Sequence, residues 1–204
     1  MADWKPPSQD RVEAYFKELN NWGRWGDADQ KGTVNLITPA KQQAAQALVK
    51  TSRTVSLARD VVPAPGFMYS ETFPSNRERA DVVLDRFDMV YHGFWITHID
   101  ALCHVAWDRE LYNGRSFMDS LSVAGATWCP IDPLFDGIPI GYQGFGMGGH
   151  LAIPFLGLAL VDNTNPERLA VACREMGRYE FMFTATPLRL VGSTGAPAHP
   201  IAIF

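Results

Sequence analysis

The apolar positions fall first into helical spacing. Val12, Tyr15, Phe16 and Leu19 recur three and four residues apart, which predicts a helix over Ser8–Leu19 with Ser8 or Asp10 as its N-cap. The following stretch, NWGRWGDADQKGTVNLITP, is rich in Gly, Asp, Asn and Trp and keeps no period, so it reads as an ordered loop. Thr38 and Pro39 make an N-cap and first-turn pair for a second helix through AKQQAAQALVK. A strand is expected at Thr54–Ala58, then a proline-rich connection around Val61–Phe73. The β-branched and aromatic run DVVLDRFDMVYHG, Asp81–Gly93, predicts one or two strands. Asn165-Pro166-Glu167 opens a helix through Met176 that Gly177 closes, and FMFTATPLRL and PIAIF read as the last strands. Strands and helices mix without regular βαβα alternation, so the expected class is mixed α/β, in one domain over residues 1–204.

Composition narrows this picture. Fourteen prolines and seventeen glycines favour short elements and many turns over a helical bundle. A net charge of −4 leaves no basic footprint for nucleic acid and no polybasic membrane patch. The longest apolar stretch, LAIPFLGLALV at Leu151–Val161, is too short to span a bilayer and holds a proline and a glycine. Cys103, Cys129 and Cys173 form no CxxC pair and are odd in number, which suits a reducing compartment. MADWKPPSQD has no basic start leading into an apolar segment, so a cytoplasmic protein is expected.

The candidate chemistry concentrates in THIDALCH, Thr97–His104. Imidazole and carboxylate are the usual ligands of zinc and manganese. His98 and Asp100, two apart on a strand, share one face about 7 Å apart and can reach one ion between them. His104 has the same parity but joins them only if the chain bends near Ala101–Cys103, and His92 can enter from the preceding turn. The same residues could equally be ordinary core and surface groups. A buried carboxylate nevertheless requires a partner, and a cation is the simplest one.

These residues carry a wider resemblance. WGDADQKGTVNLITP (Trp25–Pro39), HGFWITHIDALCH (His92–His104) and the C-terminal blocks FLGLALVDN and ERLAVACREMGRYEFMFTATPLRLVGSTGAPAHPIAIF resemble the cyclase-like metal-dependent hydrolase superfamily, which includes kynurenine formamidases and isatin hydrolases. The resemblance implies a swivelling β/β/α fold on a mixed sheet, shortened here because TWCPID passes almost at once into PLFDGIPIG where relatives carry a central block. It implies His98 and Asp100 as metal ligands and His104 as general base or as ligand to a second ion. His150 and Asp162, twelve apart, align with the later ligand pair, with Asp in place of the more usual Glu. The first histidine of the pattern is replaced by Phe94, so His92 is the candidate to take its role.

Implied by the same resemblance is hydrolysis of a C–N bond in a small amide or lactam, with a water activated by Mn²⁺ or Zn²⁺ as nucleophile. A homodimer or higher homo-oligomer is also implied, without nucleic acid or membrane partners. The alternative is a shortened, weakly active or non-catalytic form that binds metal or a partner. The missing block is expected to leave FMFTATPLRL and LAIPFLGLALV as strands short of partners, and metal binding is expected to outlast catalysis.

Trp25, Asn35 and Phe94 are the substrate-side candidates, since Trp and Asn can stack on and orient a planar amide. A capping loop packed by its own tryptophans is the plainer reading of Asn21–Asn35. Cys103, next to His104, reads as a buried inert thiol. GFGMGGH lacks both GxGxxG register and a lysine, and so reads as a connection and not a phosphate loop. His199 reads as a surface residue, and Ser193 and Thr194 as hydroxyls with no base placed beside them.

Overall fold

Ser8 caps the first helix, α1 (Gln9–Glu18), its hydroxyl accepting from the Arg11 amide, and Thr38 caps α2 (Pro39–Gln46) in the same way through the Lys41 amide. Ser8 is one of the two N-caps that the local sequence offers, and Thr38 is the one that it predicts. This computed structural model describes residues 8–62, 68–77, 80–93, 95–143, 150 and 152–204. Phe94 and the run 144–149 of GFGMGGH lie outside the described residues.

Beyond α2 come β1 (Thr54–Ser56), a hairpin of β2 (Met68–Arg77) and β3 (Ala80–Met89), and the short β4 (His98–Asp100). Four two-residue strands follow, β5 (Glu110–Leu111), β6 (Arg115–Ser116), β7 (Leu121–Ser122) and β8 (Gly125–Ala126), with helix α3 (Phe117–Ser120) among them. The rest is β9 (Ile138–Gln143), α4 (Ala152–Leu156), β10 (Leu160–Asp162), α5 (Glu167–Met176), β11 (Glu180–Ala185), β12 (Gly195–Pro197) and β13 (Ile201–Ile203). Among the described residues, no helix is long and apolar enough to cross a membrane.

Two antiparallel sheets organise the chain. One has the order β1-β13-β11-β9, the other β10-β4-β12. Helix α5 lays Leu169, Ala172 and Cys173, all buried, over Val55, Leu57, Phe181, Ala202 and Phe204. Their spacing by three and four is what gives a helix one apolar face. Gly177, at φ 60°, ends that helix in the left-handed region, where glycine carries no Cβ penalty. A second core gathers Ile99, Ala101, Leu102 and Cys103 with Leu111, Tyr112, Cys129, Ile131 and Ile153 around the three-stranded sheet.

Several expected strands take a different form. The proline-rich connection gives way to strand from Met68, and Pro74 sits opposite Val83 in a two-stranded ribbon whose open edge tolerates a missing N–H. LAIPFLGLALV is not one strand: Ala152–Leu156 is helical and only Leu160–Val161 enters β10. Gly157, at φ 63°, separates the two parts. FMFTATPLRL is extended only to Ala185, and β11 has partners on both sides, Met182 pairing with Ile203 and with Gly141. The expected shortage of partners for this strand is therefore absent.

The loop Asn21–Leu36 clasps α4. The Asn21 amide donates to Phe155 O at 2.9 Å, its side chain to Leu156 O at 3.0 Å, and Trp22 Nε1 to Pro154 O at 2.6 Å. Gly32 and Gly157 meet back to back, and a Cβ on Gly32 would lie 2.1 Å from Gly157 O. This clasp fixes the segment that runs from His150 towards Asp162.

Candidate metal centre

Strand β4 is central in its sheet, and this position creates the site. On one side β10 places Asp162 opposite His98; on the other β12 places Gly195 opposite Asp100. The strand ends at Asp100. A turn closed by His104 N donating to Ala101 O, at 3.0 Å, then brings His104 back towards the carboxylate. His104 therefore arrives by the bend and not by strand alternation. Cys103, inside the turn, is fully buried, and burial pushes its thiol up to about 12.

Asp100 has no solvent exposure and is ringed by imidazoles. Its Oδ1 lies 2.9 Å from His92 Nδ1, 3.2 Å from His98 Nε2 and 3.8 Å from His104 Nε2. Its Oδ2 is 3.5 Å from His150 Nε2, which is also 3.5 Å from Asp162 Oδ2. Asp162 Oδ1 accepts from the Asn163 amide at 2.8 Å, so Asp162 serves the turn with one oxygen and faces His150 with the other. All six predicted ligand candidates, His92, His98, Asp100, His104, His150 and Asp162, thus converge.

Protonation follows from these contacts. Burial opposes ionisation of Asp100, but hydrogen bonds from His92 and His98 and the nearby imidazole charges outweigh it and hold the carboxyl well below the usual range. For His98, burial works against the charged form, while hydrogen bonds with Asp100 and the Ile96 carbonyl raise its pKa. His104 moves the other way: burial lowers its pKa, Asp100 pulls against that, and the nearby His92, His150 and His98 add to the lowering.

The set fits a divalent cation on two structural observations. Asp100 Oδ2 is a fully buried oxygen with no hydrogen-bond partner among the described residues. Such a group is costly unless something positive faces it. In addition, His98 Nδ1 donates to Ile96 O at 2.8 Å, because a carbonyl can only accept. The lone pair of a neutral His98 is then on Nε2, aimed at a carboxylate oxygen 3.2 Å away. That contact is repulsive until a proton or a cation stands between the two atoms. His92, His98 and Asp100 form one possible ligand group, and Asp100, His104 and His150 another, with ligand atoms within 4.8 Å of one another in each. Asp100 belongs to both.

The other sequence candidates are placed elsewhere or shared. Asn35 Nδ2 donates to Asp29 Oδ1 at 2.8 Å and to Gly32 O at 3.0 Å, so its amide braces the clasp. The Arg24 guanidinium lies 4.8 Å over the Trp25 ring. His199 is exposed, with Nε2 2.8 Å from Ser56 Oγ. Thr194, read in the sequence as a hydroxyl with no base placed beside it, has that hydroxyl 3.0 Å from His92 Nε2. Tyr91, which carried no signal in the sequence, bonds to Ser193 Oγ and donates to Gly195 O at 3.1 Å.

No protein-family model matches the chain, and no curated protein does. Among solved structures, a crystal structure described as that of a novel cyclase superposes with a TM-score of 0.81 at 21% identity, over 93% of this chain and 99% of that one. The likeness shows that the chain has a cyclase-like fold.

Proposed function

We propose that the chain is a metal-dependent hydrolase of a C–N bond in a small amide or cyclic amide, akin to formamidases and isatin hydrolases. The observation that carries this reading is the buried Asp100 carboxylate, with one oxygen unpaired and four imidazoles around it. The sequence resemblance points to the same chemistry, and the cyclase-like fold agrees with that resemblance.

His98, Asp100 and His92 would hold a Zn²⁺ or Mn²⁺ ion, with His150 and Asp162 completing the far side. Bound there, the ion would acidify water and polarise the substrate carbonyl. His104 is the residue suited to carry protons. Its side chain is 24% exposed, so solvent reaches it, and burial keeps much of it unprotonated and able to accept. It would pass the proton on to the leaving nitrogen, which must be protonated to depart. The Ile96 carbonyl fixes the tautomer of His98, and the β4–β12 pairing keeps the backbone of Asp100 in place.

A homo-oligomer forms part of this proposal. The β2–β3 hairpin stands as a two-stranded ribbon, and Val83, Leu84 and Phe87 on it are each more than half exposed. Such a ribbon is only marginally stable alone in water, and exposed apolar surface favours association.

The test combines elemental analysis of the purified protein with an assay panel of formanilides, lactams and lactones. Turnover abolished by chelator and restored by Mn²⁺ or Zn²⁺ is the expected result. Stoichiometric metal with no turnover on any member would instead establish the non-catalytic alternative.

A further inference from the structure

His92 differs from His98 in how it is held. His98 is locked by the Ile96 carbonyl and lies on a strand. His92 lies in the bend after β3, followed by Gly93 at φ 139°, and no regular element of its own orients the ring. Besides Asp100 and the stacked His104 ring, what orients it comes from the other end of the chain. Thr194 Oγ1 is 3.0 Å from His92 Nε2, and the ring packs against β12, where a Cβ on Gly195 would come within 2.7 Å of His92 Cε1. Thr194 is itself fixed, because its carbonyl accepts from the Ala101 amide at 3.0 Å, next to the pairing of Gly195 with Asp100.

We infer that Thr194 is a positioning residue that holds His92 Nδ1 on Asp100 and keeps that nitrogen available to a metal ion; this inference rests on the proposed metal site. The chemical reason is that a hydroxyl can both donate and accept. Without metal, His92 Nδ1–H donates to Asp100 Oδ1 at 2.9 Å, and Nε2 must accept, so Thr194 donates. With Nδ1 given to a cation, the single ring proton resides on Nε2 and Thr194 accepts it. The ring keeps its place through the exchange and the proton count of the neutral imidazole is unchanged. A carbonyl in the place of Thr194 would serve only the second state, and an N–H group only the first. Outer partners of this kind fix the tautomer of a ligating histidine and typically alter metal affinity by about 10- to 100-fold when removed.

The experiment compares Thr194→Val, which keeps the shape and loses the hydroxyl, with Thr194→Ser, which keeps the hydroxyl. Two quantities are read: the His92 ring ¹⁵N resonances in metal-free protein, and Zn²⁺ affinity by competition with a chromophoric chelator. Thermal melting checks that each variant is folded. The valine variant should shift the Nε2 resonance and bind Zn²⁺ about 10- to 100-fold more weakly, and the serine variant should restore both. Wild-type affinity in the valine variant, or equal loss in both variants, would overturn the role of Thr194. If the wild type takes up no Zn²⁺ but the resonance moves only in the valine variant, the metal reading fails while the orienting hydrogen bond stands.

Discussion

The imidazole rings of His92 and His104 lie stacked, their centroids 3.9 Å apart and their planes 5° from parallel, although the two residues approach Asp100 from opposite ends of β4. Stacked imidazoles this close do not both carry charge easily. The contact is one reason why His104 is held below the ordinary histidine range. The two rings also differ in their hold on Asp100: His92 Nδ1 lies 2.9 Å from its Oδ1, and His104 Nε2 stands back at 3.8 Å.

Ligand removal is the most direct prediction. His98→Ala and Asp100→Ala should each purify with little of the metal that the wild type holds, because Asp100 is shared by both ligand groups and His98 is locked into one of them. Elemental analysis at equal protein concentration decides it. Equal metal in wild type and both variants would exclude this centre.

His104→Gln should separate chemistry from binding. A general acid/base typically supplies about 10² to 10⁴ in rate, so kcat should fall by that order while metal content stays near wild type. Loss of metal in step with activity would make His104 a ligand.

The pH dependence has a definite sign. In the metal-free chain His98 has a pKa raised above 6.5, so its contribution to stability is complete below 6.5 and is lost as pH rises through the raised value. Metal binding must displace that proton, so apparent affinity climbs with pH through the same window and levels off above it. The metal-dependent gain in Tm should therefore grow with pH from about 6 upward. A gain that is flat or shrinking across that range would mean that His98 is not a ligand.

Gly157→Ala should destabilise the protein through the clasp. The residue sits at φ 63°, and an added Cβ would lie 2.6 Å from the Tyr112 ring and 2.9 Å from Gly32 Cα. Overpacking of this kind costs about 1 to 3 kcal/mol, with left-handed backbone strain in addition. Chemical denaturation measures it, and an unchanged midpoint would show that the clasp yields freely.

Association is expected through the exposed hairpin. Light scattering at micromolar concentration should give a mass of at least two chains, against the 22.7 kDa of one, and Phe87→Ser should lower it. A monodisperse wild-type monomer would refute the proposal.

What the chain determined locally was legible in it. Ser8, Thr38 and Gly177 set helix ends because their side chains, or the lack of one, act on backbone within a few residues. His98 and Asp100 were legible for the same reason, since two residues on one strand face share a side wherever the strand goes. The rest of the centre was decided by tertiary structure. Asp162 faces His98, and Gly195 faces Asp100, only through the register of β10 and β12 on β4, and no local pattern carries a register between distant strands. Thr194 meets His92 across 102 residues of sequence, and its role depends on a hydrogen bond that exists only after β12 has paired. LAIPFLGLALV misled for a related reason: an apolar run records burial but not backbone shape, and Gly157 and the clasp at Gly32 settled which part became helix.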